Sequence, residues 1–199
     1  MVIKDRDRVD DHYSALARKE GYPARSVYKL KEMDEKRGLL GPGQRVLDLG
    51  CHPGSWSIYA SRKVKIVVGV DLQKMDLKMP KNFSFFLQDI LEDPPSEIVE
   101  FAPFQVILSD LAPRTSGDRF GDSLKSLELA RAALSWAKSL LAEGGSFVCK
   151  FFQGKDQDLF LKEELSPLFQ KVVLHKPKAV RKKSVELYAL GLSFRGASS

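Results

Sequence analysis

The chain has 199 residues, 43% hydrophobic and 29% charged, with a net charge of +6. That is long enough for one domain with a sizeable core and too apolar for a disordered chain. No apolar run reaches the roughly 20 residues that cross a bilayer, and the charged start "MVIKDRDRVDD" lacks the apolar stretch of a secretion signal; a monomeric cytoplasmic protein with no membrane partner is expected.

Residues 10–20 and 24–37 read as two short helices broken at "EGYP", and Gly38 to Gly43 close this segment. It carries a basic cluster, Arg18, Lys19, Arg25, Lys29, Lys31, Lys36 and Arg37, with Tyr13, Tyr22 and Tyr28 in or beside it. A second cluster, "HKPKAVRKK", spans 175–183. Cations interleaved with aromatic rings suit the phosphates and bases of a nucleic acid. A solvated surface would account equally well for either cluster alone.

From residue 45 strands alternate with helices. "RVLDL" (45–49), "KIVVGVD" (65–71), "FSFFLQD" (83–89), "FQVILSD" (104–110) and "SFVCKFF" (146–152) read as strands. Helices are expected over 54–63, over 122–142 (ending at Gly144-Gly145) and over 156–169. "KVVLHK" (171–176) and "SVELYALGL" (184–192) complete the set as an antiparallel pair. This order implies an α/β, Rossmann-like, seven-stranded mixed sheet with helices on both faces. One domain is expected over 1–199, with an N-terminal helical, RNA-facing segment (1–43) and a Rossmann-like core (44–192).

In such sheets ligands bind at the carboxyl ends of the strands. Four successive strands place an aspartate there: Asp48, Asp71, Asp89 and Asp110. Any one of them could be a turn former or helix cap, but together they converge on one crevice. The glycine turn after the first strand and Asp71 have the spacing of a dinucleotide site. Yet the turn is Gly50-Cys51-His52-Pro53-Gly54, and its proline removes a donor that a pyrophosphate would need. A nucleoside cofactor without a diphosphate fits better, and S-adenosyl-L-methionine is such a cofactor. Asp71 would hold its ribose diol, Asp89 its adenine amino group, and the turn would pass beneath its methionine part.

The stretches "EGYPARSVYKL", "VLDLGCHPGSWS", "LSDLAP", "VCKFFQG" and "HKPKAVRKKSVELY", in this order, resemble the FtsJ/RrmJ family of RNA 2′-O-ribose methyltransferases from about residue 10 to 192. The resemblance implies a Rossmann-like fold whose last strand is antiparallel. It implies a catalytic tetrad of Lys29, Asp110, Lys150 and Glu186. It carries cofactor contacts onto Gly54, Trp56, Asp71, Asp89 and Asp110, to which the turn adds Gly50 and Pro53. The implied substrate is RNA, with a uridine of large-subunit (23S-type) ribosomal RNA as the expected target; transfer RNA or another RNA is the alternative.

The chemistry is consistent with that tetrad. A ribose hydroxyl is a weak acid, so the protein must align it with the methyl group and take its proton. A lysine is a base only when neutral, a form favoured by a second cation nearby and by partial burial. Lys150 is expected to be the base, oriented by Asp110, with Lys29 and Glu186 positioning the ribose. Lys150 is the most telling of the four, because an unpaired lysine inside "FVCKFF" would be costly. Lys29 or Glu186 alone could be a surface residue, and Trp56 a packing residue of the first core helix.

Cys51 and His52 invite a metal or a nucleophile–base pair. The chain has only two cysteines and three histidines, and no second cysteine at ligand spacing. No metal site is expected, and the pair reads as turn residues beside the cofactor. Cys51, His52 and Ser55 are bulkier than the "GAAPGGWS" usual in the family, and Arg114 replaces its Asn after "DLAP". Amino-group methylation of a base would favour an Asn/Asp-Pro-Pro-aromatic motif where "SDLAP" stands, and pyrimidine carbon methylation would need a cysteine over the base. A non-catalytic RNA-binding or ribosome-assembly factor is the rival from another class, disfavoured by the intact tetrad.

Overall fold

The computed structural model describes residues 5–180 and 184–196. Arg181, Lys182 and Lys183 of the second basic cluster lie outside them. The strands β1 (Arg45–Leu49), β2 (Ile66–Asp71), β3 (Phe83–Leu87), β4 (Phe104–Ser109), β5 (Leu141–Phe152), β6 (Phe169–His175) and β7 (Glu186–Phe194) form one sheet. Its order is β3-β2-β1-β4-β5-β7-β6. Strand β7 alone runs against the others, pairing antiparallel with both β5 and β6. The parallel register of β1 with β2 and β4 puts the ends of β1, β2, β3 and β4 on one edge.

Burial on both faces explains the continuous apolar strands. One face packs Leu47, Leu49, Ile107 and Phe147 under Leu134, Trp136 and Ala137 of α5 (Arg119–Leu140). The other packs Val46, Val106, Leu108 and Val148 under three helices. These are α1 (Asp5–Lys19), α2 (Val27–Arg37) and α3 (Ser55–Ser61).

The N-terminal segment is tied to the core through polar groups. Buried Asp34 of α2 accepts from Tyr59 Oη at 2.8 Å, Lys63 Nζ at 2.6 Å and the Leu40 amide at 2.8 Å. Ser55 Oγ bonds both the amide and the carbonyl of Ala24, and Trp56 Nε1 donates to the Ser26 carbonyl at 2.8 Å.

Three elements differ from the sequence expectation. Helix α5 ends at Leu140 and β5 starts at once, so Gly144-Gly145 sits inside the strand rather than at a helix end. Leu141 pairs with Phe104 and Ser146 with Val106, so β5 bulges between them. The helix expected over 156–169 is α6 (Gln157–Leu159) followed by a π-helical turn, Phe160–Leu165, and a 3₁₀ turn, Ser166–Leu168. The wider turn buries both Phe160 and Leu165, five residues apart. A short helix, α4 (Ser96–Val99), carries only Ile98 into the core, too few residues to show a period.

Candidate active site

Three strands and one helix bring the expected tetrad together. Asp110 follows the last residue of β4, Lys150 lies on β5, Glu186 opens β7, and Lys29 projects from the first turn of α2. Lys150 Nζ lies 2.9 Å from Asp110 Oδ1 and donates to the Asp110 carbonyl at 2.6 Å. Lys29 Nζ lies 3.2 Å from Glu186 Oε2 and 3.8 Å from Asp110 Oδ1. Glu186 Oε1 is 4.0 Å from Lys150 Nζ. Lys150 is only 5% exposed, so its charge partners are a condition of its burial.

A fifth residue, absent from the sequence-based set, completes the cluster. Tyr188 stands opposite Lys150 in the β5–β7 register, and its hydroxyl donates to Asp110 Oδ1 at 2.6 Å. Its ring lies 5.9 Å from Trp56 and 5.8 Å from Lys29 Nζ. Strand alternation was the available signal, since Tyr188 is two residues past Glu186 on the same face.

Burial would raise the Asp110 pKa. The charges of Lys150 and Lys29 and the hydrogen bonds from Tyr188 and Lys150 outweigh it and hold the carboxyl below its usual range. Burial, then the Asp110 and Glu186 charges, push the Tyr188 phenol well above its usual value, so it serves as a neutral donor.

Beside the tetrad, the Gly50–Gly54 turn lies between β1 and α3. Gly50 and Cys51 donate their amides to the Val70 carbonyl. Asp71, at the end of β2, accepts from the His52 amide at 2.9 Å and the Gln73 amide at 2.9 Å. Asp89 lies beyond β3, where its Oδ1 accepts from the Leu91 amide at 3.0 Å; it bonds none of the other expected residues. Pro53 completes the turn and Gly54 caps α3 with φ 104°, a backbone that favours glycine. A Cβ at Gly54 would stand 2.8 Å from Met75 Cε and 3.2 Å from Met79 Sδ, so the close approach of these two side chains to the turn depends on the glycine. Trp56 packs at 3% exposure.

Cys51 and His52 behave as turn residues. The Cys51 thiol is buried, and burial together with the Asp48 and Asp71 charges pushes its pKa far up, so it is no thiolate nucleophile at neutral pH. Cys149 is buried in the core and pushed up to about 12 by the same desolvation.

A cleft of about 520 Å³ opens from Lys29 and Glu186 between the start of α2, the stretch 115–122, and residues 179, 180, 184 and 185. Asp122 of α5 shapes one wall, accepting from the Ser116 amide at 2.8 Å, Ser116 Oγ at 3.0 Å and the Gly117 amide at 3.2 Å. Among the described residues no helix is long and apolar enough to cross a membrane.

A parallel β-α sheet with an antiparallel β7, and a glycine turn beside a lysine–carboxylate cluster, define a Rossmann-like methyltransferase fold of the kind that binds S-adenosylmethionine. The FtsJ-like methyltransferase family matches residues 22–194, and the chain belongs to that family as a catalytic S-adenosylmethionine-dependent methyltransferase. A "Ribosomal RNA large subunit methyltransferase E" of Desulfatibacillum aliphaticivorans is 46% identical over 192 residues, covering 94% of this chain and 92% of that protein. One of the same description from Oleidesulfovibrio alaskensis is 43% identical with the same coverage. Among solved structures, a ribosomal RNA methyltransferase of Plasmodium falciparum superposes with a TM-score of 0.76 at 30% identity, covering 88% of this chain and 100% of that one.

Proposed function

We propose that the chain methylates a ribose 2′-hydroxyl of RNA, and that its target is a uridine of large-subunit ribosomal RNA, reached in the cytoplasm by a monomer. The observation that carries this reading is the cluster of Lys29, Asp110, Lys150 and Glu186, linked by separations of 2.9–4.0 Å at the head of the cleft. The relatives' description as large-subunit ribosomal RNA methyltransferases supports the choice of RNA.

The cofactor would lie across Gly50, Pro53 and Gly54, with Asp71 at its ribose, Asp89 at its adenine, and Trp56 and Asp110 beside its methionine end. Each Asp71 oxygen accepts one backbone amide and keeps a second lone pair for a ribose hydroxyl. When bound, S-adenosylmethionine supplies an activated methyl group on a sulfonium. The chain's own task is to present the hydroxyl and remove its proton. A neutral Lys150 amine has two N–H bonds, and its two short contacts to Asp110 Oδ1 and the Asp110 carbonyl use both. Its lone pair is left to take the 2′-hydroxyl proton. Lys29, held by Glu186, steadies the ribose oxygens, and Tyr188 keeps Asp110 in place.

The test is methyl transfer from labelled S-adenosylmethionine to undermethylated large ribosomal subunits, free ribosomal RNA and transfer RNA, followed by nucleoside mass analysis. A 2′-O-methyluridine that Lys150→Ala abolishes is the expected product. A methylated base, or a ribose product unchanged in Lys150→Ala, would overturn the reading.

A further inference from the structure

Helix α2 carries two carboxylate-linked anchors one helical turn apart. Lys29 reaches Glu186 at the start of β7. Glu32, at the next position on the same helix face, reaches the chain just before that strand. Its Oε2 accepts the Lys178 amide at 2.7 Å, and its Oε1 meets His175 Nε2 at 3.2 Å and Lys36 Nζ at 2.7 Å. Burial would raise the Glu32 pKa, but the bonds from Lys36 and the Lys178 amide and the nearby positive charge hold it low, so the carboxylate stays charged. Backbone bonds to a carboxylate are among the stronger ones.

The segment so held is one side of the acceptor cleft. Lys178 lies in a turn closed by the Val180 amide on the Pro177 carbonyl at 3.0 Å. The next two residues, Ala179 and Val180, are 5% and 7% exposed; they pack on the α2 face of the core and line the cleft. Lys176 Nζ donates to the Ser184 carbonyl at 2.8 Å. Helix α2 thus holds the cleft at two points, through Glu32 at residue 178 and through Lys29 at residue 186.

We propose that Glu32 is a positioning residue for the RNA acceptor: by holding the Lys178 amide it fixes the 179–180 wall of the cleft at a set distance from Lys29. This rests on the ribose methyltransferase reading for the identity of the acceptor. Glu32 bonds none of the tetrad side chains and none of the turn residues, so its effect falls on ground-state binding of RNA and not on the chemical step. Interactions of that kind move KM and leave kcat in place.

The experiment compares wild type, Glu32→Ala and Glu32→Gln. It measures dissociation constants for ribosomal RNA lacking ribose methylation and for S-adenosylmethionine, hydrogen exchange over 176–180, and steady-state methyl transfer. Glu32→Ala is expected to weaken RNA binding and raise the RNA KM about tenfold, with kcat within threefold, cofactor binding unchanged and faster exchange at 178–180. Glu32→Gln, which keeps an oxygen for the Lys178 amide, recovers most of the RNA affinity. Unchanged RNA affinity in Glu32→Ala, a fall in kcat as large as the rise in KM, or a Gln variant no better than Ala overturns the proposal. Absence of ribose methylation by wild type would instead strike the functional reading, while the RNA affinities still decide the role of Glu32.

Discussion

The Tyr188 hydroxyl donates to Asp110 Oδ1 at 2.6 Å, the same oxygen that Lys150 approaches at 2.9 Å. Asp110 is therefore fixed at a single atom by the Tyr188 hydroxyl and the Lys150 amine. Removing the hydroxyl leaves the Lys150 contact intact but frees the carboxylate to turn. Tyr188→Phe keeps the ring against Trp56 and is expected to lower kcat by about 10- to 100-fold, the range for a hydrogen bond to a charged group. Because the lost bond is one of those holding the Asp110 pKa down, the Asp110 carboxyl should titrate at higher pH in the variant than in wild type, read by carboxyl NMR. An Asp110 titration and kcat like wild type would mean that Tyr188 only packs.

The tetrad was legible because each member sits in a motif of its own, and Lys150 stood out as a charge inside an apolar strand. Tyr188 was hidden by its type, since a tyrosine in a strand is ordinary packing until its partner is known. Glu32 was hidden among nine cations and seven other acids of α1, α2 and their linker, and only the return of residues 175–178 to α2 distinguishes it. The sheet was legible from the alternation of strands and helices. The extension of β5 back to Leu141 was not, because Gly144-Gly145 signals a helix end locally and only pairing with β4 overrides that.

Cys51 tests the reading of the glycine turn. Its buried thiol is pushed far toward the neutral form, and its role is to fill space beneath the turn. Cys51→Ala is expected to retain methyl transfer within about threefold, since loss of a small buried side chain disturbs packing modestly. A loss of 100-fold or more, with cofactor binding intact, would return the thiol to the chemistry.

Gly69 on β2 lies against the same sulfur. A Cβ there would stand 2.6 Å from two ring atoms of Phe83 and 2.9 Å from Cys51 Sγ. Gly69→Ala is expected to cost about 1–3 kcal/mol by overpacking. Part of that cost should return in the double variant Gly69→Ala/Cys51→Ala, because the two sites share one space. Urea denaturation of the four chains measures the coupling; strictly additive effects would place the strain elsewhere.

Asp48 gives the fold a pH dependence of its own. Its Oδ2 accepts from Ser57 Oγ at 2.6 Å, while its buried Oδ1 has no hydrogen-bond partner. Burial, with the Asp110 and Asp71 charges adding to it, raises its pKa to about 7. In the unfolded chain an aspartate titrates near 3.9. The folded protein therefore binds the proton more tightly, and this contribution to stability is complete below about pH 4 and is lost as pH rises through about 7. Between pH 5 and 8 the loss is about 3 kcal/mol. Asp48→Asn carries no titrating proton, so its stability relative to wild type should improve by up to that amount between the two pH values. Asp110 and Glu32, with lowered values, do their titrating below this window and leave the comparison clear. Urea unfolding of both chains at pH 5 and pH 8 reads the difference, and a gap that stays constant with pH would mean that Asp48 is ionised throughout.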